Sequence, residues 1–262
     1  MTAAVAQQPL AALPPISLDE LTTRAALLTR MDRKYLLPTS EVSDLLAALG
    51  QTAMVLEIAG ARSFAYESVY FDTPELTSYL LAAHRRRRRF KIRTRTYLDS
   101  SLCWLEVKIR GARGSTVKHR LPHELCQRTA LADGRQFVDS VLIDESISCG
   151  REATLTPTLI TTYQRSTLYL PDTESRVTID TDLGWDRAGQ PRMLLPGLAI
   201  VETKTGSTAS GVDRLLWANG RRPIRISKYA TGLAAMQPGL PSAPWHRILR
   251  RHFTPTGGAA PR

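Results

Sequence analysis

The chain of 262 residues carries 35 Lys and Arg against 24 Asp and Glu, a formal net charge of +11. Its 43% hydrophobic and 23% charged content is that of a folded chain with a sizeable core, which excludes disorder throughout. No apolar run approaches the roughly 20 residues of a membrane-crossing helix; C-x-x-C, H-E-x-x-H and G-x-x-x-x-G-K-S/T patterns are all missing, which argues against zinc-ribbon, zincin and P-loop chemistry.

Residues 1–16, rich in Ala, Gln and Pro, read as a disordered tail. They do not read as a signal peptide, and three cysteines (Cys103, Cys126 and Cys149), odd in number and without C-x-x-C spacing, fit a reducing cytoplasm. A Ser cap and early acids predict a helix over Ser17–Arg30. A strand follows at Met31–Leu36, then a helix at Ser40–Leu49 with Leu45, Leu46 and Leu49 on one side and Gly50 as its stop. Phe64–Asp72 reads as a strand and Pro74–His84 as a helix.

From there the strands alternate with an unusual polar face. In Phe90–Tyr97, Lys91, Arg93 and Arg95 point away from Phe90, Ile92 and Thr94. In Cys103–Arg110, Glu106, Lys108 and Arg110 oppose Leu105, Val107 and Ile109, and Val117–Leu121 places Lys118 with Arg120. Residues 111–118 (GARGSTVK) read as a hairpin turn. After a helix at Thr129–Leu142 comes a strand at Leu159–Leu170. Next, Arg176, Thr178 and Asp180 share one face, as do Glu202 and Lys204. A short helix at Gly211–Asn219 precedes residues 237–262, which read as a flexible C-terminal tail. About eight strands with few helices make an α+β domain over residues 17–236.

A solvated strand face mixes both signs of charge, whereas these faces are dominated by Arg and Lys with isolated acids in matching places. The pattern acid-x-Lys recurs at Asp32–Lys34, Glu106–Lys108 and Glu202–Lys204. Such a surface repels itself unless it holds an anion, and enclosure would strengthen the attraction. Asp32, Glu106, Asp180 and Glu202 can be read as ion-pair partners of the bases or as ligands of a divalent cation. The run Arg85–Arg89 is a separate feature. Five consecutive arginines cannot share one strand face, so it reads as an exposed, steering entrance. A nucleic-acid patch is the competing reading, but no zinc finger or helix-turn-helix accompanies it and aromatics are only 6%, so no specific nucleic acid is expected.

The segments R-M-D-R-K-Y-L-L (30–37), Y-F-D-T-P (70–74), F-K-I-R-T-R-T-Y (90–97), W-L-E-V-K (104–108), Y-Q-R (163–165), R-V-T-I-D (176–180), V-E-T-K (201–204) and S-K-Y (227–229) resemble the VTC domain. This is the catalytic domain of the vacuolar transporter chaperone polyphosphate polymerases, in the triphosphate tunnel superfamily with the CYTH phosphatases and cyclases. The resemblance implies an eight-stranded antiparallel β-tunnel with flanking helices. It further implies a divalent metal (Mn²⁺ or Mg²⁺) and transfer of the ATP γ-phosphate to polyphosphate, started on an orthophosphate or pyrophosphate primer. By motif, Lys34, Arg93, Arg95, Lys108, Arg165, Arg176, Lys204 and Lys228 would be catalytic phosphate binders. Lys118, Arg120, Lys91 and Tyr35 would bind substrate, and Glu202, with Glu106 and Asp180 behind it, would hold the metal. The E-x-E-x-K motif of the CYTH branch is absent, because Arg30 and Asp32 precede Lys34. A stand-alone form without SPX domain or membrane helices is expected, and a membrane-protein partner is left open. Hydrolysis of triphosphate or polyphosphate, or binding without catalysis, are the alternatives on the same scaffold.

Overall fold

The computed structural model describes residues 9–24, 31–110, 116–147, 153–206 and 208–253. A strand β1 (Pro15–Ile16) and helix α1 (Leu18–Arg24) lead into β2 (Met31–Pro38), α2 (Thr39–Leu49), β3 (Met54–Leu56) and β4 (Phe64–Asp72). Helix α3 (Thr77–Ala83) precedes β5 (Phe90–Tyr97), β6 (Leu102–Arg110) and β7 (Thr116–His123). Helix α4 (Arg135–Asp144) is followed by β8 (Thr156–Leu170), β9 (Ser175–Asp186), β10 (Met193–Leu195) and β11 (Leu198–Thr205). The chain closes with α5 (Gly211–Ala218), α6 (Lys228–Met236) and α7 (His246–His252).

Eight strands run in the order β2-β11-β9-β8-β4-β5-β6-β7, every neighbouring pair antiparallel, as the VTC resemblance implied. The outward apolar side chains are covered by helices. Phe90, Ile92, Leu105, Val107 and Ile109 pack under Val138, Val141 and Leu142 of α4. Tyr35, Leu37, Val177, Ile179 and Val201 pack under α2 and α5. With their apolar faces committed to helices, most strands turn a charged face inward, while β4 contributes Tyr66, Ser68 and Tyr70 there. The sheet curls strongly: β11 and β6 stand five steps apart, roughly 24 Å in a flat sheet, yet Lys108 on β6 acts electrostatically on Glu202 on β11.

One part of the interior is filled by α6. Tyr229, Ala230, Leu233 and Ala234 pack with Tyr70, Tyr163, Leu183, Trp185 and Ile200. The approach is close enough that a Cβ on Gly232 would fall 2.1 Å from Trp185 Nε1, so only glycine fits. Asp72 joins the helices to the sheet: its carboxylate accepts from the Ser78 and Tyr79 amides at 2.8 and 2.9 Å and from the Tyr229 hydroxyl at 2.5 Å.

Several element boundaries differ from expectation. α1 is described only to Arg24, and residues 25–30 and the expected turn at 111–115 lie outside the described residues. α3 begins at Thr77 rather than Pro74, since Asp72 accepts from amides of its first turn and Leu76 adopts a left-handed conformation (φ 59°). α4 begins at Arg135, after short 3-10 turns. Both expected tails are partly structured. Leu10, Leu13 and Ile16 are buried, and β1 pairs with β3. Beyond 237, Trp245 and Ile248 are buried and Tyr79 donates to the Pro241 carbonyl at 2.9 Å, tying the segment before α7 to α3. No helix among the described residues is long and apolar enough to cross a membrane.

Candidate functional site

The inward side chains form rungs across neighbouring strands. Arg93, Glu106 and Arg120 align on β5, β6 and β7, and Lys91, Lys108 and Lys118 form the next rung. Across β2, β11 and β9 the rungs are Lys34–Glu202–Thr178 and Asp32–Lys204–Arg176. Arg165 on β8 faces Asp180 on β9.

Two of the acids are gripped closely by arginine. Glu106 Oε2 accepts from Arg93 Nε at 2.8 Å and Nη2 at 2.6 Å, and Lys118 Nζ lies 3.5 Å and Arg95 Nη1 3.9 Å from Oε1. Asp180 accepts from Arg165 Nε at 2.6 Å, from Arg165 Nη2 at 2.8 Å, and from Lys228 Nζ. Burial pushes both carboxyls up, but Arg93 at Glu106 and Arg165 with Lys228 at Asp180 outweigh it and hold both far below the usual carboxylate range. Both are buried arginine–carboxylate pairs, bidentate across both oxygens at Asp180 and converging on one oxygen at Glu106.

Elsewhere the compensation is thin. Glu202 Oε1 stands 3.4 Å from both Lys34 Nζ and Lys204 Nζ. Burial pushes its carboxyl up, and Lys204, Lys34 and Lys108 together hold it well down. Lys91 Nζ donates to Ser227 Oγ at 2.8 Å and makes no ion pair among the described residues. Burial first, then Lys34 and Arg93, pull its ammonium down to about 7. Lys108 also makes no ion pair among the described residues, and burial and Arg93 lower it strongly. Burial brings Lys204 down to about 8 despite Glu202. Arg95 Nε and the Tyr163 hydroxyl are buried without a hydrogen-bond partner among the described residues. The Tyr163 ring lies 4.3 Å from Lys228 Nζ and 5.1 Å from the Arg165 guanidinium. Such a wall offers hydrogen-bond donors and uncompensated positive charge to an anion that enters it.

A sequence profile of the VTC domain matches residues 29–237, most of the chain. The chain belongs to the VTC domain family. Among solved structures, a candidate adenylate cyclase from Bacillus halodurans is similar at 13% identity and TM-score 0.49, over 76% of this chain and 93% of that one. An adenylyl cyclase candidate from Hippeastrum, described as having a dominant triphosphatase activity, is similar at 13% identity and TM-score 0.46, over 77% and 94%. Comparison with curated proteins finds no match.

The fold places nearly all the residues singled out by the VTC resemblance on the inner face. Lys34, Lys91, Arg93, Arg95, Lys108, Lys118, Arg120, Arg165, Arg176 and Lys204 project there from the strands, joined by Lys228 from the start of α6. Lys118 and Arg120 are the more open members, and the Arg120 guanidinium stacks 4.6 Å over Trp104. Tyr35 departs from the expectation. It alternates with Lys34, points outward at 1% exposure, and donates to Asp213 Oδ1 at 2.7 Å beneath α5, so it is a packing residue of the outer wall. Of the other two expected metal carboxylates, Asp180 has both oxygens engaged by Arg165, while Glu106 takes Arg93 on Oε2 and faces Lys118 at 3.5 Å with Oε1. Two further inner donors, Tyr163 and Ser227, were not among the predicted site residues. Tyr163 shares strand parity with Arg165, a signal present in the sequence; Ser227 lies in no strand and only the fold brings it to Lys91.

Among the described residues no three His, Cys, Asp or Glu side chains converge on one point. A divalent ion would therefore draw one or two carboxylates from the protein and fill its remaining positions with phosphate oxygens and water, a pattern that Mg²⁺ favours. Glu202 fits that part: its lysine contacts at 3.4 Å are looser than the 2.6–2.8 Å contacts that engage Glu106 and Asp180.

Proposed function

We propose that this VTC domain is an ATP-dependent polyphosphate polymerase that transfers the ATP γ-phosphate to a growing chain inside the tunnel. The supporting observation is the rung Lys91–Lys108–Lys118. Like charges directly opposite one another on neighbouring strands destabilise a sheet, and two of these three lysines have no ion pair among the described residues. A run of phosphates would remove that repulsion, and two polyanions that must approach each other need this excess charge.

In the reaction, a terminal phosphate oxygen of the chain attacks Pγ, the bond from Pγ to the β,γ-bridging oxygen breaks, and ADP leaves. Little covalent help is needed, so positioning and charge neutralisation dominate. Lys34, Lys91, Lys108 and Lys204 act as point charges for phosphate oxygens, and Arg95 and Arg120 offer planar forks. Arg93 and Arg165 are oriented by Glu106 and Asp180 and present fixed edges to the substrate. Mn²⁺ or Mg²⁺ held by Glu202 would neutralise charge on the transferring phosphates. Purified protein given ATP, Mn²⁺ and a pyrophosphate primer should produce chains that lengthen on a polyphosphate gel, and Glu202→Gln should slow that lengthening strongly. Orthophosphate alone would support the hydrolase reading, and tight ATP binding without product a binding module.

A further inference from the structure

The inner rungs continue beyond the tunnel wall. The Arg110 amide donates to the Arg89 carbonyl at 3.0 Å, extending the β5–β6 ladder by one more pair past Phe90–Ile109. Arg89 shares strand parity with Lys91 and Arg93, and Arg110 shares it with Lys108 and Glu106. Outside the Lys91–Lys108–Lys118 rung there is thus another inward-aligned pair, and both members are arginines. A third joins from the segment after α5. There the Ile224 amide donates to the Lys34 carbonyl at 2.7 Å, and Ser227 accepts from Lys91, which fixes the intervening Arg225 at the same rim. Arg110 and Arg225 both repel Arg89. None of the three makes an ion pair or a side-chain hydrogen bond to a carboxylate among the described residues.

Arg89 differs from the rest of its run. Arg85 to Arg88 are exposed, and Arg88 is turned aside to the Ser146 carbonyl at 3.1 Å, whereas Arg89 is half-buried at the rim. The five arginines therefore divide into four that look outward and one that caps the tunnel.

From this arrangement we infer that Arg89, Arg110 and Arg225 form an outer phosphate subsite, which grips the part of a polyphosphate chain extending past the tunnel and makes the protein bind long chains better than triphosphate. The inference rests on the tunnel holding phosphates, as proposed above. A ligand of three phosphates is held by the inner rungs and ends before the rim. A longer chain leaving past Lys91 must cross the three arginines, whose forks each match a phosphate's oxygens.

The test is competition binding of tripolyphosphate and of polyphosphate several tens of units long, on wild-type protein and on Arg89→Gln/Arg110→Gln/Arg225→Gln. The triple variant should lose roughly tenfold in affinity for the long chain, as expected for three exposed ionic contacts, and stay within about twofold for tripolyphosphate. Unchanged tripolyphosphate binding also reports that the variant is folded. A second variant, Arg85→Gln/Arg86→Gln/Arg87→Gln, removes the same charge from the outward arginines and should leave the long-chain preference intact. Equal losses for both ligands, no loss for either, or an equal long-chain loss in the second variant would overturn the subsite. If wild-type protein binds neither ligand, the tunnel reading itself fails.

Discussion

The inner wall has two regions that treat charge differently. Asp180 and Glu106 are each gripped by an arginine at 2.6–2.8 Å, Arg165 across both Asp180 oxygens and Arg93 on Glu106 Oε2. Around Lys91, Lys108 and Glu202 the bases outnumber the acids, contacts lengthen to 3.4 Å, and burial pulls Lys91 down to about 7. The first region is a scaffold: its charges are consumed in holding guanidinium groups at fixed angles. The second is unfinished without an anion, and that is where binding energy should be found.

The largest effects should come from breaking the finished region. Glu106→Ala or Asp180→Ala strands buried arginines without a partner and should cost about 3–5 kcal/mol of stability, read by chemical denaturation. In the unfinished region, Glu202→Gln should cost less stability than either of those, because its ion pairs are longer, while slowing chain elongation by roughly 100-fold, the scale expected for losing one charge-stabilising group in the transition state. A large stability loss at Glu202 with elongation preserved would erase the distinction between the regions.

A smaller effect concerns pH. The Lys91 pKa is lowered to about 7 from the ordinary lysine value of 10.5. Between those values the unfolded chain keeps a proton that the folded chain has released, so free-protein stability should rise with pH across that window and level off below 7. Phosphate beside Lys91 restores the proton. Binding above pH 7 should thus take up protons, by an amount approaching one fewer in Lys91→Met than in wild type. Measuring binding heats in buffers of different ionisation enthalpy isolates that difference; identical uptake in both proteins would show that Lys91 is not coupled to the ligand.

Much of this wall was legible in the sequence because β-structure has a period of two. Once Lys91, Arg93 and Arg95 alternate with Phe90, Ile92 and Thr94, the sign of each face follows, and β6 and β11 obey the same rule. The same parity places Tyr35 opposite Lys34 and therefore outward, in conflict with the role implied by the family motif. Which acid meets which base was not legible: Arg93 finds Glu106 through cross-strand register, and Lys228 finds Asp180 from a helix 48 residues away in sequence. The C-terminal elements were hidden for a different reason. α7 has seven residues with basic Arg250, Arg251 and His252 in its last turn, and it is secured by contacts such as Trp245 on Tyr79, ring centroids 5.8 Å apart. Short polar helices of this kind are specified by packing rather than by their own periodicity.

The central claim is that the uncompensated lysines are kept for a polyanion at the expense of the free protein. Thermal unfolding of wild type and of Lys91→Met/Lys108→Met, each with and without tripolyphosphate, tests it most directly. The account predicts that the variant unfolds at a higher temperature than wild type when free, and that tripolyphosphate raises the wild-type midpoint far more than the variant's. A variant no more stable than wild type and stabilised equally by tripolyphosphate would contradict it.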